Sequence, residues 1–220
     1  MGRVRRFYGS MVGKKAVMGA TGLIGVVFVI VHSLGNLLVF RGPDAINSYS
    51  HFLKSTGELL WTVRIILIVA VVLHVVAAVQ LTQQSRAART IGYKKREAQA
   101  ATIASRTMRL GGALILVFIV LHILHFTTGT LRPAGVFSAE DVYANVVSSF
   151  RIWWVALFYI VVMIFLGLHI FHGAWSSFRS LGITQPSERP LKHKLSLVVA
   201  VFVWAAFTAI PVAVLSGFLR

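Results

Sequence analysis

Residues 65–85 read IILIVAVVLHVVAAVQLTQQS, 21 consecutive uncharged residues between Arg64 and Arg86 that carry one histidine, His74. A helix rising 1.5 Å per residue needs about 20 predominantly apolar residues to cross the hydrocarbon core of a bilayer. Four more gaps between flanking charges meet that length: 25 residues from Lys15 to Arg41, 22 from Arg109 to Arg132, 27 from Arg151 to Arg179 and 25 from Lys194 to Arg220. The chain is 57% hydrophobic and 13% charged, against roughly 25% charged in soluble domains. These features predict an all-α integral membrane protein, one domain over residues 1–220, with five transmembrane helices at about 16–40, 60–85, 108–131, 152–178 and 195–219. The first span is too long for a signal-peptide core and lacks a small-residue cleavage site, so it is expected to be retained.

Charge sets the orientation. Sixteen of the 22 Lys and Arg residues fall on the N-terminus, the second-to-third connection and the fourth-to-fifth connection. The remaining six lie on the other side with Asp44, Glu58, Glu140 and Asp141. The positive-inside rule then places the N-terminus in the cytoplasm or matrix and the C-terminus outside. Glu97 and Glu188 leave about +14 on the inner face, enough to attract an acidic soluble partner. Because the basic residues are divided among loops rather than gathered in one stripe, a nucleic-acid partner is not expected. The absence of cysteine excludes disulfides, thiolate-bound iron–sulfur clusters and Cys-ligated zinc from this subunit.

The connections read simply. Met1 to Lys15 is a basic, aromatic-containing interfacial segment, and Gly42-Pro43-Asp44 opens an outer connection, residues 42–58, that is expected to hold a short amphipathic helix. In the connection from Arg132 to Arg151, a surface helix is expected from Ser138 as N-cap, with Asp141 three residues on. The second and third helices are expected to project beyond the bilayer around residues 86–109. Pro211 inside the fifth span predicts an accommodated kink. Trp61, Trp153 and Trp154 sit where spans begin, as interfacial anchors do.

Six of eight histidines fall inside spans: His32, His74, His122, His125, His169 and His172. Ionisable residues in hydrocarbon are costly and mark functional sites. At 1.5 Å per residue, His32 lies about 24 Å and His122 about 18 Å from the inner side, while His74 and His169 lie about 20 Å and 25 Å from the outer side. The four therefore sort by depth into an outer pair, His32 with His122, and an inner pair, His74 with His169, on the first four helices. Cofactors in bundle cores are held from facing helices, and two such pairs are what two bis-histidine haems need. His125 and His172, three residues further along, suit propionate or quinone hydrogen bonding and equally well interhelical bonding. His51 and His193 fall in connections, where a solvated role is expected. Gly22, Gly25, Gly35, Gly111, Gly112, Gly167 and Gly173 lie beside the histidine faces, where porphyrin access and close helix packing explain them equally.

Other chemistries fit less well. A di-iron bundle needs inward glutamates and a retinal protein needs a lysine within a span, and the spans contain neither. A histidine-lined proton or metal-ion transporter is the alternative from another class, although paired charges and inverted repeats are lacking.

Several motifs, in order, resemble the two-haem cytochrome b membrane anchors of bacterial succinate dehydrogenases and fumarate reductases. They are Val31-His32-Ser33-Leu34-Gly35-Asn36, Asn47-Ser48-Tyr49-Ser50-His51-Phe52, Leu73-His74-Val75-Val76-Ala77, Met108-Arg109, Leu121-His122, Leu168-His169, Gly173-Ala174-Trp175-Ser176-Ser177-Phe178 and Leu181-Gly182-Ile183-Thr184-Gln185-Pro186. The resemblance covers essentially the whole chain and implies a multi-pass protein of the bacterial inner membrane. It implies two b haems, His74 and His169 holding the one proximal to an iron–sulfur subunit and His32 and His122 the distal one. It also implies a flavoprotein subunit and that iron–sulfur subunit on the cytoplasmic face, and leaves room for the whole complex to assemble into a higher oligomer. Quinone, with menaquinone the usual partner of such proteins, would bind by the distal haem near Glu58, His51 and His125, or alternatively at the inner side near Lys14, His172 and Arg179. Some fumarate-reducing relatives carry a glutamate two residues before the fourth-span ligand; here that position is Gly167, which favours succinate oxidation.

Overall fold

The computed structural model describes residues 2–88, 103–183 and 185–220. It is 85% helical, with no strand among the described residues. Eight α-helices follow in order: Gly2–Gly9 (α1), Met11–Asn36 (α2), Pro43–Ser55 (α3), Glu58–Ala87 (α4), Ile103–His122 (α5), Val142–Phe150 (α6), Trp153–Ser180 (α7) and Arg189–Leu215 (α8). Five of them are long and apolar enough to cross a membrane: α2 continued by a 3₁₀ turn to Arg41, α4, α5 continued by a π-helical turn to Thr127, α7, and α8 from Pro190. The chain is an all-α multi-pass membrane protein. Of residues 86–109, where the second and third helices are expected to project beyond the bilayer, α4 runs to Ala87 and α5 starts at Ile103, and residues 89–102 lie outside the described residues.

Helix ends depart from the charge-to-charge count where a side chain rescues a backbone group. The first span starts at Met11 rather than near residue 16, because Ser10 caps it by accepting from the Gly13 N–H at 2.9 Å. Lys14 then lies inside the helix, buried, with its Nζ donating back to the Gly9 carbonyl at 3.1 Å. The corner between α1 and α2 is tight enough that a Cβ on Gly13 would stand only 1.9 Å from the Phe7 carbonyl oxygen. The expected short helix in the first outer connection is α3, with Pro43 in its first turn. The surface helix expected from Ser138 begins instead at Val142, capped by Asp141, which accepts from the Ala144 N–H at 2.9 Å. Ser138 forms a preceding turn, its Oγ accepting from the Glu140 and Asp141 N–H groups. His51 and His193, expected in connections, lie on α3 and in the second turn of α8.

Packing follows small residues. Helices in lipid have no hydrophobic drive to associate and approach where side chains are small. Ala70 and Ala77 on α4, Ala156 and Ala174 on α7, and Ala200, Ala206 and Ala213 on α8 are accordingly buried. α2 and α7 pack against each other at the centre, α4 lies against α2, and α5 lies against α7. The fifth span is no bystander to a four-helix bundle, since α8 packs extensively on α7 and also touches α2. In their most apolar windows, α7 and α8 bury 39% of residues, against 17% for each other span, so those two helices form most of the packed interior. Fully buried Pro211 in α8 removes an N–H from the ladder, which neighbouring helices shield.

The largest buried apolar cluster gathers at the end of the bundle opposite the N-terminus, where Val39, Ile46, Val146, Val147, Phe150, Val155, Tyr159 and Ile210 meet. There α3 and α6 pack together as a cap. Asn47 of α3 donates to the Asp141 carboxylate at 3.0 Å and accepts from the Tyr143 N–H at 3.1 Å, while Glu140 pairs with His51 at 3.2 Å and with Lys54. Hydrogen bonds from the Ala144 N–H and from Asn47 hold the Asp141 carboxyl below its usual value of 3.8. A depressed folded-state pKa stabilises the fold above the unfolded value and loses that contribution as pH falls through the folded one. Asp141→Ala is therefore expected to destabilise the cap by about 1 kcal/mol at neutral pH. Thermal unfolding in detergent should show the deficit, and it should narrow below pH 3.8.

Candidate functional site

Four of the six intramembrane histidines meet in two pairs. The His32 and His122 ring centres are 6.0 Å apart, and those of His74 and His169 are 6.1 Å apart. His32 sits near the end of α2 and His122 closes α5, while His74 and His169 each lie about midway along α4 and α7. Each pair joins helices that lie across the bundle from each other, α2 to α5 and α4 to α7, not helices that are extensively packed side by side. The vertical spacing emerges twice. Gly22, beside His74, precedes His32 on α2 by ten residues, and Tyr159, beside His122, precedes His169 on α7 by ten. Both give about 15 Å along the bundle axis.

Two imidazoles bound on opposite sides of one metal ion, each at a metal–nitrogen distance of about 2 Å, hold their ring centres about 6 Å apart. Both pairs match that separation, and no hydrogen bond joins the rings within either pair among the described residues. Nor, among the described residues, do three or more His, Asp or Glu side chains converge there into a multi-ligand metal centre. The donor set is two imidazoles per level, which suits axial ligation of a group that brings its own equatorial ligands.

The surroundings of the two levels differ. His74 Nδ1 donates to the Met18 carbonyl at 3.0 Å, with Thr21 Oγ1 at 3.4 Å. A carbonyl only accepts, so Nδ1 carries the proton and Nε2 keeps its lone pair for a ligand. Among the described residues, no hydrogen-bond partner meets the buried His169 Nδ1. Around the other pair, Phe28 stacks on His32 and Phe118 on His122, with Phe126 and Tyr159 beside His122. Phe207 of α8 lies 5.7 Å from His32, so the histidine-free fifth span lines this level.

The glycines divide by neighbour. A Cβ on Gly22 would stand 3.2 Å from the His74 ring, and one on Gly112 would stand 3.5 Å from the His169 ring. Gly35 makes room for the Tyr49 ring, Gly111 for Phe165, and Gly167 for Trp204 and the Ala200 carbonyl, so these three serve helix packing. Gly25 and Gly173 have open space where a Cβ would stand. Gly167 thus faces α8.

The remaining candidates are placed as follows. His125 is 6% exposed, with Nδ1 3.0 Å from Tyr159 Oη and Nε2 2.9 Å from Ser149 Oγ, so both ring nitrogens are engaged within the protein. His172 lies 3.3 Å from Ser176 Oγ one turn along α7. Glu58 is exposed at the start of α4, and His51 is exposed on α3 with Glu140 as its partner. Among the described residues no hydrogen bond or ion pair joins Glu58, His51 and His125. At the N-terminal end, Lys14 turns to Gly9, and Arg179 stacks on Trp175, whose ring also meets His193.

Depth counting did not find Met18, Thr21, Phe207, Ser149 or Tyr159. Tyr159 did leave a signal, as the only hydroxyl between Arg151 and His169. Comparison with known proteins finds no matching family model, no matching curated protein and no matching solved structure.

Proposed function

We propose that this chain is the membrane anchor and electron-transfer subunit of a succinate:quinone oxidoreductase, holding one b haem between His32 and His122 and a second between His74 and His169. The observation that carries the reading is the matched ring separation of 6.0 and 6.1 Å in two stacked pairs. His32 with His122, and His74 with His169, would each hold one haem, which would supply one-electron transfer.

The chain's own residues have definable tasks. The Met18 carbonyl sets the tautomer of His74, and Gly22 and Gly112 leave the His74 and His169 rings free of crowding. Phe28, Phe118, Phe126 and Phe207 place apolar rings beside His32 and His122, and the Asn36 amide nitrogen lies 3.4 Å from the His32 ring nitrogens. With the N-terminus inside, His74 and His169 form the inner level, facing the basic loops. Those loops would dock an iron–sulfur subunit, itself joined to a flavoprotein that oxidises succinate, by long-range attraction. The His32/His122 level lies towards the outer leaflet, where menaquinone would exchange electrons. Gly167, close against α8, offers no proton-carrying side chain, which favours the succinate-oxidising direction. A histidine-lined transporter is the alternative reading; a metal ion held within the protein by side chains alone calls for more ligands than the two imidazoles that each pair offers among the described residues.

A pyridine haemochrome assay on the purified complex should give two b haems per chain; a haem-free protein would refute the proposal. Alanine at His32, His74, His122 or His169 should each abolish one haem's spectral component and spare the other, whereas His51→Ala should remove neither. Gly22→Val, which crowds His74, should lower the haem content to one per chain while leaving the His32/His122 component unchanged in the optical spectrum.

A further inference from the structure

The end of the third span carries a feature that ligation by His122 alone does not require. Directly after His122 the helix widens into a π turn, Ile123–Thr127, a distortion frequent at functional positions. The turn places His125 between two hydroxyls from different elements, Tyr159 on α7 and Ser149 on α6. All three side chains are nearly inaccessible, Tyr159 at 8%, His125 at 6% and Ser149 at 4% exposure. The same Tyr159 oxygen lies 3.5 Å from His122 Nδ1. A continuous chain thus runs from His122 through Tyr159 and His125 to Ser149, linking one level of the paired histidines to the cap helix.

We propose that Tyr159, His125 and Ser149 are positioning residues that hold His122 as the tautomer with an unprotonated Nε2. The proposal rests on the haem reading of the His32/His122 pair. An Nε2 that binds metal carries no proton, so Nδ1 must carry it. His122 Nδ1–H then donates to Tyr159 Oη, whose single proton goes to His125 Nδ1, and His125 Nε2–H donates to Ser149 Oγ. The opposite sense would have Tyr159 donate to His122 Nδ1 and would leave the proton on Nε2, where it blocks ligation. Burial makes the choice of sense stable, because a donor or acceptor removed from the chain leaves its neighbour unpaired away from water. An acceptor on Nδ1–H makes the imidazole a stronger electron donor and favours the oxidised metal. The inner level has a different device for the same purpose, the Met18 carbonyl on His74.

The test is a redox titration of the purified complex, with haem counted in the same samples. Tyr159→Phe removes the acceptor, so the His32/His122 haem should favour its reduced form by about tenfold, which for a one-electron couple is 59 mV upward. Haem content should stay at two per chain, the His74/His169 component should keep its midpoint, and the low-spin ferric EPR signal of the other haem should shift. Two haems with an unmoved midpoint would overturn the positioning role and leave the haem reading intact; a wild-type protein without haem would overturn both. Should Tyr159→Phe lose the fold or the His32/His122 haem, Ser149→Ala decides. It should shift the same component about threefold in the same direction, with Ser149→Thr restoring the wild-type midpoint, and an unshifted midpoint in Ser149→Ala would again overturn the role.

Discussion

An imidazole inside hydrocarbon must find a partner, because its ring nitrogens cannot turn to water. Six such rings lie in the first four spans of this chain, and the partners they find organise the molecule. Two are drawn into local or interhelical hydrogen bonds: His172 towards Ser176, and His125 between Tyr159 and Ser149. Four meet across the bundle as two pairs at one repeated separation. Identical spacing at two depths is difficult to attribute to incidental packing, since the two levels have quite different neighbours. One is enclosed by phenylalanines and a tyrosine, and the other by a backbone carbonyl, a threonine and glycines.

The architecture serves that arrangement. α2 and α7 form the central contact and each contributes one histidine to one pair, His32 and His169 respectively, so every pair has one ring anchored on a central helix and one on a flanking helix. Close approach is delegated to alanines and to glycines such as Gly35 and Gly167, which admit a tyrosine ring and a tryptophan stem against the backbone. α8 packs on α7 and α2 and, through Phe207, supplies part of the wall of the His32/His122 level. The cap of α3 and α6 closes the far end through Asn47 and Asp141, and Ser149 on that cap reaches the membrane interior through His125. Changes at the bundle's outer surface are thereby connected to the ring that closes α5.

Much of this was legible in the residue order, for physical reasons. Crossing hydrocarbon demands about 20 uncharged residues in a row, so five spans could be counted between charges. Antiparallel spans and a fixed rise per residue turn a residue number into a depth, which is why residue order alone matches His32 with His122 and His74 with His169. Less was legible at helix ends. Lys14 enters the first span because its amine folds back to Gly9, and α6 starts at Val142 because Asp141, not Ser138, satisfies its first N–H groups.

Periodicity gives a direction around one helix and says nothing about which neighbour stands there. Only the assembled helices could decide that Gly22 and Gly112 face histidine rings while Gly35, Gly111 and Gly167 face packing partners, or that a span without histidine still lines the His32/His122 level. The role of His125 was open for the same reason, because α-helical spacing places it near the face of His122, whereas the π turn and Tyr159 determine where its nitrogens point. Span number and the relative depths of the histidines follow from interactions between a chain and its solvent, which composition encodes; which rings meet, and with which hydroxyls, follows from contacts between residues far apart in the chain, which only packing sets.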